Sequence, residues 1–63
     1  MNDNEHDAIE TAFMTAVNGL YRTLFDSLVT HPDELDKATK RFRKGLGVAR
    51  KARALALENL DLE

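Results

Sequence analysis

The stretch Thr30-His31-Pro32-Asp33-Glu34 decides the fold, because it holds the one proline of the 63-residue chain and its only concentration of turn chemistry. A proline suits the first position of a helix, where no backbone N–H is needed. Thr30 or His31 can occupy the cap position before it, and Asp33 and Glu34 bring negative charge to the positive end of the helix dipole. A second helix is therefore expected to begin at this point, and a first one to end just before it.

Upstream of the turn, apolar residues come in adjacent pairs at every fourth position: Ala8/Ile9, Ala12/Phe13, Ala16/Val17, Leu20/Tyr21, Leu24/Phe25 and Leu28/Val29. This is helical periodicity with a wide face. A four-residue repeat advances by about 40° per step on a helix of 3.6 residues per turn, so the stripe drifts around the cylinder and needs two partners. Downstream, Leu35, Ala38, Phe42, Gly45/Leu46, Ala49, Ala52, Ala56 and Leu60 step by three and four, the spacing of a close antiparallel seam. Small residues on this seam can receive the large side chains of the first helix.

The expected architecture is all-α: an antiparallel two-helix hairpin, with helices over about residues 5–30 and 33–60 and the turn at 30–33, forming one domain over 1–63. Residues 2–5 and 61–63 read as frayed ends. A chain of 7.1 kDa buries only about 60% of its unfolded surface, and there is no cysteine to staple it. Self-association into a homo-oligomeric helical bundle is the expected remedy. Phe13, Val17, Tyr21, Leu24, Phe25 and Leu28 are the expected interface between copies.

With 43% hydrophobic and 32% charged residues, the composition is too apolar for a disordered tail. No apolar run approaches the roughly 18 residues of a membrane span. The acidic start of the chain is unlike the basic start of a secretory signal, so a cytoplasmic location in a bacterium or a phage-infected host is expected.

Charge is distributed unevenly about the net of −2. The segment up to His31 carries five acids against Arg22, and Asp33, Glu34 and Asp36 follow. From residue 37 to 53 there are eight cations and no acid: Lys37, Lys40, Arg41, Arg43, Lys44, Arg50, Lys51 and Arg53. At about 100° per residue, all but Arg53 fall opposite the seam. One reading is a surface that captures an anionic ligand through Lys40, Arg41, Lys44, Arg50, Lys51 and Arg53. Arginine adds forked donors suited to phosphate. The other is a solvated outer face balanced by the acidic first helix of a neighbour. Gly47 lies amid these cations, away from the seam, where glycine costs about 1 kcal/mol against alanine. It points either to close approach by a ligand or second copy, or to a bend in the helix.

Enzymatic and cofactor motifs fail. Asp3-Asn4-Glu5-His6-Asp7 lacks the glycine and the bidentate acid of a calcium loop, since Ala8 and Met14 stand there. Gly45-Leu46-Gly47 is followed by Arg50 where a dinucleotide fingerprint needs glycine. His6 and His31 have no i, i+4 partner for a metal, and no nucleophile has a His and an Asp around it. The expectation is a non-enzyme without metal or cofactor.

Two likenesses extend this reading. Met14, Val17, Tyr21, Leu24, Phe25 and Leu28, then the proline turn with Glu34, then Ala38, Arg41, Phe42, Gly45, Leu46, Ala49 and Ala52, make the hairpin from Met14 to Ala56 resemble the helical-hairpin domain of phage counter-defence proteins that sequester cyclic nucleotide signals. The resemblance implies oligomers of hairpins that hold phosphorylated ligands in clefts between protomers without turning them over. Arg41 is the one ligand residue it carries over. An aromatic residue often follows the central helix positions in that family. This chain has Val48, so no stacking contact is transferred.

Leu35-Asp36-Lys37-Ala38, Phe42, Lys44-Gly45-Leu46 and Val48-Ala49-Arg50 are similar to the second helix of the exonuclease VII small subunit, a helical adaptor for a larger nuclease. The first helix departs from that family's acid-rich pattern and glycine turn. Expected partners are thus a copy of the chain and an anionic small molecule such as a cyclic nucleotide, or alternatively a protein partner. Nucleic acid ranks behind them, and no membrane is expected.

Overall fold

A computed structural model describes residues 3–60 and contains two long helices joined by one tight turn. Helix α1 runs Asp3–Thr30 and helix α2 runs Leu35–Leu60, with a single 3-10 turn, Pro32–Glu34, between them. No strand occurs among the described residues. Asp3–Glu5, expected at a frayed end, already belong to α1, whereas residues 1–2 and 61–63 lie outside the described residues.

The turn works through backbone groups. The His31 N–H donates to the Ser27 carbonyl at 2.7 Å, closing the last turn of α1, and the Glu34 N–H donates to the His31 carbonyl at 3.0 Å. Pro32 follows at the first position, where its missing N–H leaves nothing unpaired. His31 occupies the cap position, but its side chain makes no capping hydrogen bond. Its backbone does the work expected of its imidazole.

On α1, a row of half-buried residues is spaced alternately by four and three, His6, Glu10, Phe13, Val17, Leu20, Leu24 and Ser27, with Ile9 and Leu28 half-buried beside it. On α2 the matching row is Ala38, Phe42, Gly45, Ala49, Arg53, Ala56 and Leu60. These are two coiled-coil seams in contact. Gly45 meets Leu20 so closely that the leucine side chain occupies the space a Cβ would need. Large side chains from α1 therefore do fill gaps left by small residues on α2.

Two positions depart from the expected seam of α2. Leu35 is 55% exposed, because it stands at the first residue of α2, where the chain is still leaving the turn. Ala52 is exposed as well, and the half-buried place one residue on belongs to Arg53, whose long side chain reaches back to α1.

The packing is thin. Ala38, at 5% exposure, is the only buried residue among those described. The backbone measures 48 × 16 × 7 Å, a single layer of two helices. Its radius of gyration of 14.8 Å compares with about 11 Å for a globular chain of this length. No helix among the described residues is long and apolar enough to cross a membrane.

Candidate anion-binding surface

The register of the hairpin follows from three pairings: Gly45 with Leu20, Arg53 with Glu10, and Ala38 beside Ser27 in one cleft. The basic segment 37–51 consequently lies against residues 14–28 of α1. Those residues carry only Arg22 and Asp26. The other acids of α1, Glu5, Asp7 and Glu10 among them, sit in its first turns, beside the far end of α2. The seven cations Lys37, Lys40, Arg41, Arg43, Lys44, Arg50 and Lys51 are thus not neutralised by the helix they pack against. All seven are exposed, and among the described residues none lies within 4.0 Å of an acid.

Lys37, Lys40, Arg41 and Lys44 border one shallow recess on α2. Their i, i+3, i+4, i+7 spacing puts them on one helical face, where like charges at four-residue separation repel. Arg41 also stands at the lip of a second opening, an interhelical cleft of about 200 Å³ formed with Leu20, Thr23, Leu24, Ser27, Ala38 and Phe42. Arg41 and the hydroxyl-bearing Thr23 and Ser27 thus border an otherwise apolar cleft. That volume is below the roughly 300–1,000 Å³ typical of a small-molecule site, so this cleft is too small to enclose a small molecule by itself.

The expected anion-binding residues divide. Lys40, Arg41 and Lys44 come together. Arg50 and Lys51 are exposed further along α2 and do not line this recess. Arg53 is committed within the hairpin: its Nε donates to Glu10 Oε1 at 3.0 Å, and its guanidinium lies 5.1 Å from the Phe13 ring centroid. Both partners remain 39–46% exposed, so this pair is a modest staple. Lys37, Thr23 and Ser27 belong to the surface although the sequence reading did not include them. Lys37 could have been found from its spacing to Lys40, Arg41 and Lys44. Thr23 and Ser27 emerge only from the register.

The expected interface residues divide too. Phe13 and Leu24 line clefts shared with α2, and Val17 is half-buried on the same seam. They hold the hairpin itself together. Tyr21 and Phe25 are 61% and 54% exposed, stacked on each other with centroids 6.4 Å apart, and with Asn18 and Arg22 they border an open recess. Leu28 is half-buried.

No protein-family model, curated protein or solved structure matches this chain, and the reading of the surface rests on its own residues.

Proposed function

We infer that this chain is a non-enzymatic binding protein, working as a homo-oligomer of helical hairpins, that captures an anionic ligand along α2. The ligand class is a phosphorylated small molecule such as a cyclic nucleotide. Capture without turnover is the sequestering role implied by the likeness of Met14–Ala56 to phage counter-defence hairpins. Arg41, which borders both the recess and the cleft, would meet phosphate. Lys37, Lys40 and Lys44 would add charge around it.

The observation that carries this reading is the unopposed charge: seven cations over about 21 Å of helix, facing a stretch of α1 with one acid and one base. A face that merely needed solvation would interleave both signs, as exposed helices commonly do. Such a field draws anions from solution and weakens with added salt.

Calorimetric titration with a panel of cyclic and linear nucleotides, at low and at high salt, tests the reading. Saturable heat that weakens steeply with salt is expected. Absence of heat across the panel, with one stoichiometric protein recovered on pull-down from the producing cell, would replace capture with the adaptor role.

A further inference from the structure

From Thr11 to Tyr21 α1 carries no charged side chain, an uninterrupted run of 11 residues. Yet Met14 and Tyr21 within it, and Phe25 just beyond, are more than half exposed. A solvent-facing helix side ordinarily breaks such a run with charge. The uncharged side chains on this side are also ordered: Met14, Asn18, Tyr21, Phe25 and the half-buried Leu28, four of them apolar, step by four, three, four and three. Each follows by one position a residue of the seam that meets α2, namely Phe13, Val17, Leu20, Leu24 and Ser27. One residue is a turn of about 100°, so α1 bears a second coiled-coil seam nearly at right angles to the first. That is how a helix is built when it sits at the corner of a four-helix bundle, with one neighbour on each of two sides. The hairpin supplies only one of those neighbours.

We propose that a second copy of this chain docks on the Met14–Asn18–Tyr21–Phe25–Leu28 stripe, so that two hairpins close a four-helix bundle. This rests on the preceding reading in one respect, that the chain works as an assembly, and it gives that assembly its face. Area selects the occupant. The chain exposes 5248 Å², whereas a compact chain of 7.1 kDa exposes about 4,100 Å². The excess of roughly 1,100 Å² exceeds the ~800 Å² that each partner contributes to a standard interface. Every copy brings the same nearly charge-free stripe, and a two-fold axis lets that patch bury itself against its own image. The anion surface stays open in this arrangement. Thr23 and Ser27, which border its cleft, lie on the flank of α1 opposite Tyr21 and Phe25.

Sedimentation equilibrium of the full chain, with helix content followed by circular dichroism, tests the proposal. The wild type is expected at twice the 7.1 kDa chain mass. Tyr21→Glu and Phe25→Glu should weaken association on the order of 100-fold, because each places a charge at the centre of the patch. Val48→Glu, at an equally exposed position of α2, should leave it unchanged. A folded single chain, a three-chain mass, or a Phe25→Glu protein that pairs as tightly as the wild type would overturn the proposal.

Should the glutamate variants lose their helices, p-benzoylphenylalanine at Tyr21 in the otherwise native chain supplies the second test. Irradiation of pure protein should give a covalent product of two chains. No product there, with a product from the same probe at Val48, would also overturn the docking face. Nucleotide titration of the same variants separates the two ideas. Anion binding that survives the failure of this face removes only the face, and intact pairing without anion binding removes only the capture reading.

Discussion

Gly45 and Gly47 stand two residues apart in one continuous helix and have opposite reasons to resist or accept a side chain. A Cβ on Gly47 meets nothing within 4 Å, and its backbone has no positive φ. Gly47→Ala should therefore stabilise the hairpin by about 0.5–1 kcal/mol through helix propensity alone, measured by urea unfolding. A Cβ on Gly45 would collide with the Leu20 side chain. Gly45→Ala must turn the end of the Leu20 side chain aside, which offsets the roughly 1 kcal/mol that propensity returns, so the same urea series should show a smaller gain than for Gly47→Ala. If Gly47→Ala raised stability but abolished nucleotide binding, the glycine would be marked as a point of close ligand approach. Arg53 offers a further contrast at this scale. Its pairing with Glu10 and its position over Phe13 assign it to the hairpin. Arg53→Ala should cost about 1 kcal/mol in thermal unfolding, while the midpoint of nucleotide titration stays where it was.

At the scale of the helices, the same cations that attract a ligand work against α2. Lys37 with Arg41, and Lys40 with Lys44, are like-charged i, i+4 pairs, each destabilising by about 0.2–0.5 kcal/mol at low salt. Replacing Lys40, Arg41 and Lys44 together by Gln should raise helix stability slightly and lower anion affinity at least ~10-fold, the opposite signs expected when charge is retained for binding. Circular dichroism and calorimetry on one preparation read both. The helices themselves were legible in the sequence because Pro32 punctuates two long periodic runs and nothing else in the chain contradicts them. Less legible was which of the adjacent apolar positions faces which partner. The pairs Ala12/Phe13, Leu20/Tyr21 and Leu24/Phe25 present two seams one residue apart, and periodicity alone cannot say that Phe13, Leu20 and Leu24 meet α2 while Tyr21 and Phe25 do not. Antiparallel register decides it, and register also commits Arg53, expected among the anion-binding residues although it lay near the apolar face, to Glu10 and brings Thr23 and Ser27 beside Arg41.

For the whole molecule, the decisive quantity is how little one hairpin hides. With Ala38 as the only buried residue among those described, the intramolecular seam supplies half-burial along two helices, and half-burial counts for less than a closed core. In a folded protein most of a helix's stability comes from packing its amphipathic face, and here much of that face stays open. If the second neighbour is another copy, folding and association are one equilibrium, and stability depends on protein concentration. A monomeric hairpin would instead melt at the same temperature however dilute. The unfolding midpoint, followed by circular dichroism, should rise by on the order of 10 °C when the chain is concentrated 100-fold. That concentration change favours the paired state by roughly 2.7 kcal/mol per dimer, and a small domain shifts by about 4–8 °C for each kcal/mol at its midpoint. In Phe25→Glu the midpoint should fall at every concentration, because weaker pairing stabilises the folded chain less while the Leu20–Gly45 seam is unchanged. A midpoint of the wild type that did not move with concentration would mean that two half-buried helices suffice, and would leave Tyr21 and Phe25 exposed without a structural reason.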